Sequence, residues 1–251
     1  MKFSKPRWNV MTRSVPDKNW SSRDVALLLL GIFLCVIFSS LLLYALMPVI
    51  AERFPDQNNL IIIVFNTFSF QGVAAVLILL FLHNQKMTWK KAFGFCRNSF
   101  VTHGLHGILW GLAAFPVSLV LLEALEFLLD LVGLAPETQT VVKMLQDGGA
   151  QAIGQVIAIG VLSIIVAPFV EEMLFRGVLY IHIRDMGFPT LAVGVSALIF
   201  SVVHGNMLVF IPLVLFAIFL TFLYERYADL TVCIFAHSAF NSANFILALF
   251  S

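Results

Sequence analysis

Two adjacent glutamates and an arginine lie inside an otherwise apolar run, Pro168-Phe169-Val170-Glu171-Glu172-Met173-Leu174-Phe175-Arg176. Ionisable side chains at membrane depth are costly, so they normally face a protein-lined cavity and have a function. Glu172 and Arg176 are four residues apart and share one helix face, within reach of an ion pair. Glu171 is rotated away from that pair. We expect Glu172 and Arg176 to brace the helix and Glu171 to act as a general base, the alternative being a solvated helix end at the membrane surface.

Other polar residues are predicted to lie at a similar depth. His204 ends the apolar segment Phe200-Ser201-Val202-Val203-His204, and His237 and Asn241 are one helical turn apart on a later segment. Counting 1.5 Å per residue from the predicted turns places all of them, with Glu171, roughly 12 to 24 Å from the cytoplasmic surface. A single histidine of this kind is often only a packing residue. Convergence of three segments favours one shared pocket.

The composition excludes an ordinary soluble domain. Hydrophobic residues make up 60% of the 251 residues and charged residues only 12%. Such values predict an all-α, polytopic bundle of transmembrane helices. The net charge of +1 gives no indication of nucleic-acid binding. The three cysteines are scattered and predict neither a disulfide framework nor a metal site.

Apolar segments and turn residues predict about seven spans in a single transmembrane domain, 25–251, with a catalytic core at about 151–250. Residues 1–24 form a basic tail, which we expect in the cytoplasm. With that orientation, only Arg53 and Lys143 of the 15 lysines and arginines fall on the outer side, as the positive-inside rule requires. A loop at about 134–150 is expected to lie on the outer face. The predicted helices are at about 25–50, 60–83, 103–131, 151–184, 190–205, 207–224 and 230–251.

Three motifs occur together in this order: Glu171-Glu172-x-x-x-Arg176, Phe200-x-x-x-His204 and His237-x-x-x-Asn241. This set resembles the motifs of the CAAX-protease and bacteriocin-processing family of intramembrane endopeptidases, also called the Abi family, which includes the Ras-converting CAAX endoprotease. The resemblance covers residues 160–245. Each motif is weak alone, and the set is specific. The N-terminal half shows only compatible hydropathy.

The resemblance implies an enzyme that hydrolyses a peptide bond in a membrane-associated protein or peptide. Glu171 and His204 would hold and activate one water, and His237 and Asn241 would donate to the oxyanion. Glu172, Arg176 and Phe200 would support these groups. We expect no metal, because an amide is a poor zinc ligand and a good donor. The alternative is a zinc protease with the ligands Glu171, His204 and His237.

A membrane scaffold or immunity protein with the same fold, in which the polar residues only pack helices, is the main alternative outside the enzyme class. A transporter is less favoured, because no repeated half is present. For the enzyme, we expect a protein or peptide substrate that enters from the bilayer or the cytoplasmic side, lipid as the surrounding partner and no nucleic acid. The short chain favours a prokaryotic plasma membrane.

Overall fold

The computed structural model describes residue 15 and residues 18–54, 58–133 and 153–250, and all regular secondary structure in these ranges is helical. Most of the predicted basic tail and the predicted outer loop at 134–150 lie outside the described residues. The helices are α1 (Ser22–Arg53), α2 (58–84), α3 (Trp89–Phe93), α4 (Phe100–Leu131), α5 (Ile153–Asp185), α6 (Pro189–Val202), α7 (Met207–Tyr227) and α8 (Leu230–Phe250).

Six of the described helices are long and apolar enough to cross a membrane, which confirms the polytopic helical class. Large apolar side chains such as Phe38 and Phe222 are exposed on their outer faces, as expected for surfaces in contact with lipid. The cytoplasmic location of the N-terminus stays a prediction.

The predicted fifth span, at about 190–205, corresponds to α6, which is too short to meet the same criterion. It has 14 residues, which at 1.5 Å per residue is about 21 Å, against a hydrocarbon core of about 30 Å. The helix ends at Val202 because the chain turns through Gly205, which has a positive φ of 64°. Asn206 then caps α7, its Oδ1 accepting from Leu208 N at 2.9 Å. His204 therefore lies in a turn and not inside a helix.

Helix α8 packs closely against α4 through glycines. A Cβ on Gly107 or Gly111 would collide with the backbone carbonyl oxygens of Val232 and Ala236, respectively. Small residues allow such close approach in membrane helix pairs. Since Ala236 precedes His237, this contact fixes the depth and rotation of the histidine.

The short helix α3 was not among the helices predicted from the sequence. Its buried Phe93 lies directly over Gly177 of α5, where a Cβ would meet the Phe93 ring at 2.5 Å. Trp89 stacks on Phe169 with ring centroids 6.0 Å apart. Gly94 ends the helix with a positive φ of 78°. Helix α3 thus packs along the side of α5.

The C-terminal end of α5 is fixed to α7 by polar contacts. Glu225 accepts from Tyr180 Oη at 2.8 Å and from Arg184 Nη1 at 2.9 Å. With α3 and α8 also packed against it, α5 is held from several sides. A rigid support of this kind is what a functional site requires.

Candidate active site

The centre of the site is a buried ion pair on α5. Arg176 Nη1 donates to Glu172 Oε1 at 2.8 Å, and both side chains are almost completely buried. Arg176 Nη2 also donates to the carbonyl of Ala217 on α7 at 3.0 Å, and the guanidinium lies 4.7 Å from the centroid of the Phe200 ring. The pair expected from the i, i+4 spacing is present, and it joins α5 to α6 and α7.

His237 of α8 faces both glutamates. Its Nδ1 lies 2.9 Å from Glu172 Oε1, and its Nε2 lies 4.0 Å from Glu171 Oε2. Glu171 and His237 are 6% and 2% exposed. The structure therefore brings Glu171, Glu172, Arg176 and His237 together in one protein-lined cluster, as the sequence motifs indicated.

Gln71 of α2 is a site residue that the sequence reasoning missed. Its Nε2 donates to Glu171 Oε1 at 3.2 Å. The available signal was a single amide in the apolar stretch Phe68-Ser69-Phe70-Gln71-Gly72, a type of residue that seldom faces lipid. The N-terminal half of the chain thus contributes directly to the site, although its hydropathy alone gave no indication of this.

His204 and His237 pack against the same aromatic ring. The Phe200 centroid lies 4.7 Å from that of His204 and 5.7 Å from that of His237. His204 Nδ1 lies 2.7 Å from the carbonyl oxygen of Phe200. A carbonyl only accepts, so Nδ1 carries a proton, and Nε2 is an acceptor whenever the ring carries no second proton. Phe200 thus positions both imidazoles.

Asn241 contacts α5 through an irregular stretch. Residues Leu162–Val166 are π-helical, and Ala167 N donates five residues back to the carbonyl of Leu162. The next carbonyl, that of Ser163, would be paired in the same way with residue 168, but this is a proline and has no N–H. Asn241 Nδ2 supplies the missing donor at 2.8 Å. One of its two N–H groups is therefore used for support.

Each π-helical segment of the described chain contributes a group to this region. Phe68–Gly72 contains Gln71, Leu162–Val166 contains Ser163, and Met173–Tyr180 contains Arg176. The two glutamates lie between the latter two segments. Local π-helix rotates the following side chains relative to a regular α-helix and is frequent at functional sites. These segments explain why depth and simple 3.6-residue periodicity could not give the complete site.

We expect Asn241→Ala to destabilise the protein by about 1 kcal/mol, because it leaves the half-buried Ser163 carbonyl without a donor. Pro168→Ala restores a backbone N–H close to that carbonyl. The double variant should therefore recover part of the loss. Thermal unfolding of the wild type, both single variants and the double variant measures this coupling. Additive effects of the two changes would show that Asn241 does not replace the missing N–H.

The zinc ligands considered from the sequence are Glu171, His204 and His237. Glu171 Oε2 lies 4.0 Å from His237 Nε2, and the rings of His204 and His237 both pack against Phe200. Within the described ranges, no three His, Cys, Asp or Glu side chains are grouped as a bound metal ion requires.

The fold and the site define an integral membrane protein whose helices enclose a cluster of two carboxylates, an arginine and a histidine. Residues 153–243 match the family model of the type II CAAX prenyl endopeptidases, described as Rce1-like. This match confirms the assignment of that region to the CAAX-protease family, a family of membrane endopeptidases. No curated protein and no solved structure matches the chain.

Proposed function

We propose that the protein is an intramembrane endopeptidase of the glutamate type, and that it works in a prokaryotic plasma membrane. The observation that carries the proposal is the approach of Glu171 and His237, at 4.0 Å, inside a buried cluster in the region that matches the family. This separation is too long for a direct hydrogen bond and short enough for one water to bridge the two groups.

In this mechanism Glu171 is the general base. It accepts a proton from the bridging water while the water oxygen adds to the scissile carbonyl, which forms a tetrahedral oxyanion. The C–N bond then breaks, and the proton held by Glu171 passes to the leaving nitrogen. The products are a carboxylic acid and an amine, and transfer of the acid proton to the amine gives a carboxylate and an ammonium group. General-base assistance of this kind typically contributes about 10²- to 10⁴-fold to the rate.

His237 is the oxyanion donor in this proposal. Its Nδ1 lies 2.9 Å from Glu172 Oε1, and a carboxylate oxygen accepts, so Nδ1 is the donor of this contact. The imidazolium form also donates from Nε2, which lies 4.0 Å from Glu171 Oε2, where the oxyanion forms. Water or oxyanion at this position is within reach of both groups.

His204 and Asn241 have supporting parts in this proposal. The acceptor Nε2 of His204 orients water or the leaving amine at the Phe200 side of the site. Asn241 uses one N–H for the Ser163 carbonyl. Its second N–H is a further donor for the substrate. The substrate is a protein or peptide that reaches α5 from the bilayer or from the cytoplasmic side.

Purified protein in lipid vesicles should cleave at least one of two peptides that differ only in a prenyl group. Both end in a CAAX sequence, and only one carries a prenyl group on the cysteine. Mass spectrometry of the products gives the bond that is broken. Cleavage of the prenylated peptide alone places the enzyme with prenyl endopeptidases, and cleavage of both indicates a broader membrane peptidase. No cleavage of these peptides or of a digest of membrane proteins would favour a scaffold.

A further inference from the structure

We propose that Gln71 is a positioning residue for Glu171, so that α2 contributes a side chain to the active site. This inference rests on the proposed function, since it assigns Gln71 a role in the activity of Glu171. A carboxylate offers only acceptors, so the amide nitrogen is the atom that faces Glu171 Oε1, at 3.2 Å. Glu171 Oε2 faces His237 Nε2. The amide therefore fixes one oxygen and leaves the other aimed at the water position.

The surroundings of Glu171 make this contact important. Arg176 is bonded to Glu172 and to the Ala217 carbonyl, so the guanidinium holds the neighbouring carboxylate. Without Gln71, the hydrogen bond that fixes Glu171 Oε1 is lost, and packing alone holds that oxygen. A misplacement of about 1 Å can cost about 10²-fold in rate. Gln71 restricts that rotation without neutralising the carboxylate, which has to remain a base.

The local helix geometry supports a dedicated role for Gln71. It lies in the π-helical segment Phe68–Gly72, within a span that is long and apolar enough to cross a membrane. A regular α-helix would turn the same side chain to a different angle. An amide that faced lipid at this depth would be unfavourable, whereas here it is half-buried against the site.

The chain contains a matched control at the end of the same helix, where Gln85 follows the last residue of α2. Gln85 Nε2 donates to Asp24 Oδ2 at 2.6 Å, which is the same amide-to-carboxylate bond between two helices. It lies 14 residues beyond Gln71, about 21 Å along the helix. Gln85→Leu therefore removes an equivalent bond far from Glu171.

The experiment compares full-length Gln71→Leu and Gln85→Leu in lipid vesicles on the better-cleaved peptide. Gln71→Leu should lower kcat about 10- to 100-fold, the loss expected for a hydrogen bond to a charged group, with KM unchanged. Gln85→Leu should keep the wild-type kcat. An unchanged kcat in Gln71→Leu, or an equal loss in both variants, would overturn the proposal.

A second measurement tests the contact without any activity. Gln71→Glu places two carboxylates against each other and should lower the melting temperature. The swap Gln71→Glu/Glu171→Gln rebuilds a carboxylate–amide pair and should regain most of that loss, although it remains inactive. Failure of the swap to regain stability would show that the two side chains do not pair. If the wild type cleaves nothing, the proposed function fails and this melting series still decides the contact.

Discussion

Glu171→Gln is expected to lower the rate of peptide cleavage by about 10²- to 10⁴-fold, the contribution of a general base. The glutamine has the same shape and still offers an oxygen to Gln71, but it cannot accept a proton from water. The melting temperature should stay close to that of the wild type. The measurement is initial-rate kinetics on the peptide pair, with thermal unfolding of the same samples.

Glu123→Gln is the matched control for this prediction. Glu123 is an exposed carboxylate on α4, outside the cluster. The same chemical change at this position should leave the rate unchanged. Wild-type cleavage by Glu171→Gln would remove Glu171 from the chemistry and with it the glutamate mechanism.

The second large effect is on folding and comes from Glu172 and Arg176. Glu172→Leu leaves the buried guanidinium of Arg176 without its carboxylate, and Arg176→Met removes the buried cation beside Glu172, which keeps its contact with His237. Each change should cost about 3–5 kcal/mol, because it breaks a buried ion pair from one side. That is a large part of the stability of a typical domain, about 5–15 kcal/mol. Both single variants should therefore give little folded protein in detergent extracts.

The double variant Glu172→Leu/Arg176→Met distinguishes the effect of breaking the ion pair from the effect of losing side-chain packing. Two apolar side chains of similar size often replace a buried ion pair at little cost. The double variant should therefore be more stable than either single variant, although His237 loses its Nδ1 partner and activity stays low. Equal stability of Glu172→Leu and the wild type in thermal unfolding would contradict the bracing role of the pair.

Much of the fold was predictable because lipid imposes simple rules on the sequence. Long apolar runs gave the six spanning helices, and the i, i+4 spacing of Glu172 and Arg176 gave their ion pair. The predicted span at about 190–205 corresponds to α6, which ends earlier, at Val202, because Val203 and His204 already belong to the turn before the cap at Asn206. Hydropathy alone does not mark this end, since Val203 is itself apolar.

The detailed site was less predictable, because it depends on departures from regular helix. The amide of Asn241 supports the Ser163 carbonyl, a need that arises only from the combination of a π-helical turn with Pro168. Gln71 reaches Glu171 across 100 residues of sequence, and a single amide in an apolar segment does not specify its partner. These contacts are set by helix register and tertiary packing.

The most direct test is a comparison of protein termini in cell membranes. Cells that lack the gene are complemented with the wild type or with Glu171→Gln at matched abundance, and new N- and C-termini of membrane proteins are mapped by mass spectrometry. Our account predicts a small set of termini that appear with the wild type and are absent, with the uncleaved precursor accumulating, in the variant. Identical termini in both strains would contradict it.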